Sequence, residues 1–499
     1  MTLADGELWN VLLRLSLTMS ESATARSFLI GLLAVFISPS LATWVTQQPP
    51  QRRRIAFLAA VAPFFAPELI AGYCYSSGVF SLVHLPTANA ALYFLLLLLK
   101  TVPVGMLVVL YSPGSPISAS AFHCHRLLKH RVRSWEAVGF WVRGPLHQRL
   151  PVFAVSFLVV FQEFEIASLM SIPSWTVEIF DAQAKGIRPL ATAKILLIPL
   201  LTIAVVVLPT VAILARGNQP TVFRSDAHSQ RSRWFGGAFV FVANLILWVI
   251  PVWTIGASGL RHATSLTRNA AILKGFTREV SSAIAFAFCA ALVAVFAAYF
   301  LLNRWRPDIN RRRKTLILAP LLPGLAGSLA VSLAVFLVIQ QPSLIWLRST
   351  PIPAVFGMAV FLLPRAVLML LLFRSARPGT AVGAANLLSQ SGDASQCSRG
   401  FRLLWQLEGR AVFWAFAAVF FWGYFNLTTA SLLVPLAIVP LPAQLYNLMH
   451  YGRTMSLSTQ ALMSVLVPVS LILAAALSMP HVERMSSGRR KSSRSERPE

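Results

Sequence analysis

Long apolar runs are the feature that most constrains how this 499-residue chain can fold. A helix that crosses a bilayer needs about 20 mostly apolar residues. Only 12% of the residues are charged, about half of the roughly 25% found in soluble domains. The sequence therefore predicts an all-α, polytopic transmembrane helical bundle. Its eleven apolar runs lie near residues 28–46, 55–75, 88–112, 151–171, 192–214, 234–256, 280–302, 315–340, 351–374, 411–436 and 456–479.

The positive charge is concentrated in alternate connections between these runs, which predicts the orientation of the chain. Six such segments hold 30 of the 43 Lys and Arg residues, and basic connections stay in the cytoplasm. This places the N-terminus outside and the C-terminus inside. The net charge of +26 lies between apolar runs and not on a soluble face, so we expect membrane lipids, and no nucleic acid, as partners. The six basic segments are 47–54, 113–150, 215–233, 303–314, 374–410 and 480–499.

The two ends of the chain lie outside the eleven apolar runs, and the N-terminal end allows two interpretations. Residues 8–20 resemble an interfacial amphipathic segment, but they also fit a twelfth, marginal span. Residues 480–499 combine six basic residues with serines, which predicts a basic, disordered cytoplasmic tail.

The chain contains an internal repeat in which position 52 corresponds to position 312. Arg52–Arg54 and a following apolar run with Pro63 match Arg312–Lys314 and a following run with Pro323. Both basic clusters open a span from the same side, so the two halves are predicted to be parallel. A parallel duplication places a pathway between the halves. The predicted units are a first half (1–233), a second half (234–479) and the tail.

The repeat residues also carry a family resemblance that covers nearly the whole chain. The second half reads Phe-Trp-Gly-Tyr-Phe-Asn (421–426) and then Leu-Tyr-Asn-Leu-Met-His-Tyr-Gly (445–452), and the first half reads Phe-Gln-Glu-Phe-Glu-Ile-Ala-Ser-Leu (161–169) and then Thr-Val-Glu-Ile-Phe (176–180). This order resembles the fused, two-half permeases of binding-protein-dependent ABC importers of the ferric-iron type. The resemblance implies an inner-membrane transport subunit that works with a cytoplasmic ATPase dimer and a periplasmic or extracellular solute-binding protein, and it suggests ferric iron as cargo.

In that family each half has a cytoplasmic loop with a Glu-Ala-Ala…Gly pattern that docks on the ATPase. By position, the resemblance places these loops at 113–150 and 374–410 here. Both depart from the pattern, since the second has Gly383-Ala384-Ala385 and Gly392 with no leading acid. The residues that the resemblance implies for ATPase coupling are Ala121, Arg126, Leu127, Ala384, Ala385 and Leu388.

Ionisable residues inside spans are costly and are therefore candidates for function. Glu163 and Glu165 lie two residues apart, so we expect at least one to line a translocation path; interfacial solvation or a structural ion pair is the alternative. Glu68 and Lys100 are expected to pair between adjacent spans, and Arg365 is expected to snorkel to the cytoplasmic headgroups. Prolines in the spans predict kinks or breaks. They are Pro63, Pro67, Pro103, Pro320, Pro323 and Pro364.

The sequence offers no sign of enzyme chemistry. It lacks the Gly-x-x-x-x-Gly-Lys-Ser/Thr loop that holds nucleotide phosphates, so ATP hydrolysis would belong to a separate subunit. No His, Cys or Glu cluster has zinc spacing. We therefore expect no catalytic residues, no metal site and no cofactor. A stand-alone secondary transporter built from repeats is the alternative to the ABC permease.

Reporter fusions test the predicted topology. Fusions after residues 230, 308 and 490 should report a cytoplasmic location, and fusions near 80, 265 and 345 should report an external one, because basic connections are retained inside. A cytoplasmic signal from a fusion at residue 5 would show that residues 8–20 span the membrane.

Overall fold

The computed structural model is helical, with no strand among the residues it describes. Such a fold suits an apolar chain in lipid, because a helix satisfies its own backbone hydrogen bonds where water is absent. The prediction of an all-α transmembrane bundle is confirmed at this level. The described residues are 2–82, 85–111, 124, 145–186, 189–216, 230–261, 270–304, 316, 318–375, 379–391, 393–435, 437–450 and 454–492.

Ten α-helices are described in the part of the chain before residue 262. A 3-10 turn, Ala62–Phe65, follows α2, and a π-helical turn, Leu245–Val249, joins the last two of these helices. In chain order they are α1 (Thr2–Thr46), α2 (Pro50–Val61), α3 (Glu68–Leu82), α4 (Pro86–Tyr111), α5 (Pro145–Phe161), α6 (Glu165–Leu169), α7 (Trp175–Ala184), α8 (Pro189–Arg216), α9 (Gln230–Asn244) and α10 (Ile250–Arg261).

Ten further α-helices are described after residue 269. A 3-10 turn, Ala319–Leu321, leads into α12, a second one, Ile345–Ser349, follows α13, and a π-helical turn, Trp405–Gly409, joins α16 to α17. They are α11 (Ala270–Arg304), α12 (Leu322–Leu325), α13 (Ser328–Ile339), α14 (Ile352–Ser375), α15 (Gly379–Ser389), α16 (Ala394–Leu404), α17 (Arg410–Tyr424), α18 (Leu427–Leu432), α19 (Leu441–His450) and α20 (Thr454–Ser492).

The described residues contain 7 helices long and apolar enough to cross a membrane, or up to 9 if each of two bent pairs is one span. Two shorter apolar helices, Arg149–Phe161 and Lys194–Thr210, coincide with two of the predicted runs. Residues 8–20 form one continuous helix with the first span. At the other end, α20 continues to Ser492, whereas the sequence predicts a tail without regular structure from residue 480.

Two candidate spans, each a bent pair of helices, are broken at positions that correspond in the predicted repeat. The helix axis bends by 67° between Phe65 and Glu68, and by 104° between Leu325 and Ser328. Pro63 and Pro323 lie just before these bends. Proline has no N–H to continue the hydrogen-bond ladder, and its ring clashes with the preceding turn. The predicted effect of these prolines on the spans is thus confirmed at both breaks.

Small residues allow the helices to pack closely inside the bundle, while large apolar side chains face outward. On α11, one face of alanines is buried against α14 and α17, as at Ala287 and Ala290. Gly105 of α4 lies against Ser38 of α1, where a β-carbon would clash. In contrast, Phe296 is 74% exposed. Small residues at helix contacts and apolar residues at the outside are typical of helices packed in lipid.

Part of the predicted ATPase-coupling surface lies outside the described residues. This applies to Ala121, Arg126 and Leu127 in the loop 113–150. The basic cluster 311–314, which the predicted topology and repeat use, also lies outside the described residues. The second predicted loop is described for the most part, and it contains α15 and α16.

Gly327 at the second break should tolerate no side chain. Its φ of 98° and ψ of 161° fall in a region that only glycine occupies readily, at a cost of about 1–3 kcal/mol for other residues. A β-carbon would also lie 3.0 Å from Gln162. We expect Gly327→Ala to lower the unfolding temperature of the purified protein.

The matched control is Gly256→Ala in α10, where no atom lies within 4 Å of the added carbon. Equal unfolding temperatures for the two variants would contradict the assignment of strain to the second break.

Candidate functional site

The two broken spans meet at a cavity of about 350 Å³ between the two parts of the chain. The first break contributes Phe65 and Glu68 to its wall, and the second contributes Leu325 and Ser328. All five ionisable residues that the sequence analysis singles out inside spans also line it. They are Glu68, Lys100, Glu163, Glu165 and Arg365.

Lys100 stabilises the first break. Its ammonium group forms an ion pair with Glu68 over 2.6 Å and donates a hydrogen bond of 3.0 Å to the carbonyl oxygen of Ala66. That carbonyl lies at the bend, where the helical ladder is interrupted. The predicted Glu68–Lys100 pair is therefore confirmed, and the lysine also satisfies a backbone acceptor that would otherwise be costly in lipid.

Glu163 lies in the turn between α5 and α6, and its carboxylate caps α6. It accepts hydrogen bonds from the backbone N–H groups of Ile166 and, over 3.1 Å, Ala167. The Tyr93 hydroxyl donates a third bond of 3.0 Å. Capping satisfies N–H groups that have no partner inside a helix. The side chain is 3% exposed, so the structure gives Glu163 a positioning role in the cavity wall.

Glu165 reaches from the first part of the chain to the second. One carboxylate oxygen accepts a hydrogen bond of 3.2 Å from the backbone N–H of Leu427, the first residue of α18. Asn426 caps the same helix through Thr429 over 2.9 Å. The two predicted acids therefore line one cavity but make different contacts. Glu163 caps the helix that directly follows it, whereas Glu165 connects the first part of the chain to the second.

Gln162 and Trp422 each contact the break in the other part of the chain. The Gln162 side-chain amide donates to the carbonyl oxygen of Leu325 at the second break. Trp422 stacks on Phe65 at the first break, with ring centroids 4.7 Å apart and planes inclined by 6°. Neither residue is ionisable, so neither stands out in the sequence, although the predicted repeat pairs position 162 with 422 and position 65 with 325.

The side chain of Arg365 lies in the cavity wall. The guanidinium lies over the Phe361 ring at 4.1 Å and near the Trp422 ring at 5.5 Å, in the cavity wall. Arg365 is ten residues before the end of α14 at Ser375. Snorkelling of this side chain to the headgroups stays a prediction.

The second predicted coupling segment forms a helical hairpin that leads into the start of α17. Ala385 of α15 is buried, whereas Ala384 is exposed and Leu388 is half-buried. Gly400 of α16 lies against the backbone of Ser389. Leu387 is 73% exposed, so the hairpin presents an apolar surface.

Comparison of the chain with protein-family models, with curated proteins and with solved structures finds no match.

The ion pair at the first break should behave as a coupled unit. Lys100→Met should destabilise the protein by about 3–5 kcal/mol, because it leaves Glu68 charged and unpaired in a partly buried site. Adding Glu68→Gln should restore a substantial part of the unfolding temperature. Additive losses in the double variant would show that the two side chains act independently.

Proposed function

We propose that this chain is the membrane-spanning permease component of an ABC-type importer in the cell inner membrane. The observation that carries the proposal is the cavity between the two broken spans, with contacts that cross from each half to the other. A route between two parallel halves needs such a polar opening at the depth where lipid excludes charge.

The order of the helices supports a duplication of parallel halves. The turn that begins at Ala62 corresponds to α12, which begins at Leu322, and α3 corresponds in the same way to α13. Later elements recur in the same order with a slightly larger shift, since α6 corresponds to α18 and α8 to α20. Helices α9 and α10 lie between the two series. We infer that α1–α8 and α11–α20 descend from one unit.

The apolar helices also fit eleven spans. The nine candidates become eleven if Arg149–Phe161 and Lys194–Thr210 cross the membrane as well. Their short length is compatible with crossing, because a thinner bilayer, or neighbouring protein, accommodates a short apolar stretch at modest cost. With the basic connections inside, α15 and α16 lie on the cytoplasmic side.

Coupling to a separate ATPase is supported by the surface of the α15–α16 hairpin. Leu387 and Phe401 are exposed there beside Arg399 and Arg402. An exposed apolar patch with a charged rim is typical of a protein contact. In the proposed complex the hairpin, with the predicted residues Ala384, Ala385 and Leu388, contacts the ATPase, and a solute-binding protein delivers the solute on the opposite side.

A stand-alone secondary transporter is the second candidate. The buried ion pair and acids of the cavity also suit a transporter driven by an ion gradient. That candidate leaves the helical hairpin on the basic side without a partner, which is why we favour the ABC permease.

Cross-linking from the hairpin tests the ATPase. With the four cysteines replaced, Leu387→Cys should trap an ATPase subunit in membranes, because this side chain is 73% exposed on α15. Phe296→Cys, 74% exposed on the apolar face of α11, is the matched control and should trap none.

Uptake in vesicles separates the two candidates. Transport that requires ATP and the co-purified ATPase fits the importer. Uptake by the isolated chain under an ion gradient alone would contradict the importer and identify the chain as a secondary transporter.

A further inference from the structure

We propose that the cavity binds a small solute that carries an anionic group next to a cationic or hydrogen-bond-donating group. In this assignment the Arg365 guanidinium holds the anionic group and the Glu165 carboxylate holds the donor. The cavity would then be the solute site of the proposed transporter, and this use of it rests on the proposed function.

Three of the five ionisable side chains in the cavity wall are already committed to other partners. Lys100 and Glu68 neutralise each other over 2.6 Å. Glu163 accepts three hydrogen bonds, from Ile166, Ala167 and Tyr93. The remaining two are Arg365 and Glu165, which are opposite in charge.

Arg365 presents its donors to the cavity. Within the described part of the chain, no hydrogen bond and no ion pair within 4.0 Å reaches its guanidinium. Its contacts are aromatic: Phe361 at 4.1 Å and Trp422 at 5.5 Å. Stacking occupies the face of a guanidinium and leaves its edge, which carries five N–H groups suited to a carboxylate or phosphate. The rings thus orient the group and leave its donors for a ligand.

Glu165 presents an acceptor to the same space. One of its oxygens takes the Leu427 N–H at 3.2 Å, while a carboxylate can accept about four hydrogen bonds. The guanidinium of Arg365 interacts electrostatically with Glu68 and, more weakly, with this carboxylate. Because Glu165 follows α5 and Arg365 is on α14, a solute that contacts both would join the two halves of the proposed repeat.

The rest of the wall favours an organic solute over a bare metal ion. Among the described residues, no three His, Cys, Asp or Glu side chains are arranged to hold a metal. The wall also contains aromatic side chains, including Phe65, Phe361 and Trp422. A volume of about 350 Å³ lies at the lower end of the range for small-molecule sites. A ferric ion would fit this cavity only as a complex with an organic anion.

A single cysteine in the cavity wall tests the charges. In full-length protein with the four native cysteines replaced by serine, Ser328→Cys is labelled with an anionic and with a cationic methanethiosulfonate of similar size. Arg365→Gln should lower the ratio of the anionic to the cationic labelling rate by about tenfold, since a unit positive charge is removed from the wall of the same cavity. Glu165→Gln should raise that ratio.

The control is Leu387→Cys on α15, outside the cavity, where neither substitution should change the ratio. The zwitterion L-glutamine at millimolar concentration should slow labelling of Ser328→Cys more than succinate or putrescine does. The inference is overturned if both substitutions leave the ratio at residue 328 unchanged, or if L-glutamine protects no better than the other two. Co-purification of an ATPase is measured separately. A failure of the solute-site proposal can therefore be distinguished from a failure of the importer proposal.

Discussion

The interrupted backbone of two spans is the constraint on which the rest of the structure depends. A bend of 67° or 104° in a span frees carbonyl groups where lipid offers no water to replace the lost hydrogen bonds. Lys100 donates to Ala66 at the first bend, and Gln162 donates to Leu325 at the second. Each donor brings a polar side chain to the same cavity. The cavity and its charges follow from this requirement.

Different side chains stabilise the two breaks, although the breaks occupy corresponding positions in the predicted repeat. An ammonium group and a stacked tryptophan stabilise the first, while a neutral amide and a glycine with positive φ stabilise the second. The acids Glu163 and Glu165 also belong to one side only, since residues 423–427, to which the predicted repeat assigns them, contain no acid. The three acids of the cavity wall, Glu68, Glu163 and Glu165, therefore all come from the first part of the chain, whereas Arg365 comes from the second.

Much of the polar site could be predicted because burial of charge in an apolar run is visible in sequence. Glu68, Lys100, Glu163, Glu165 and Arg365 are conspicuous for that reason, and all five line the cavity. The predicted pairing of Glu68 with Lys100 is confirmed. It could be predicted because the spans contain few other charged residues with which either side chain could pair. Gln162 and Trp422 are not ionisable and so gave no such signal. The stacking of Arg365 on Phe361 gave no such signal either, because it depends on how the side chain is oriented in the folded helix bundle.

The sequence by itself determined that the chain is an all-α membrane protein, where its apolar runs lie, and that prolines interrupt two of them. These properties depend on local composition, because about 20 apolar residues span a bilayer and proline breaks its own helix. Only the tertiary structure decided that both breaks meet at one cavity, that Glu163 caps a helix while Glu165 crosses to Leu427, and that Arg365 stacks on Phe361. Those outcomes depend on distances between residues far apart in the chain, which packing of the helices sets.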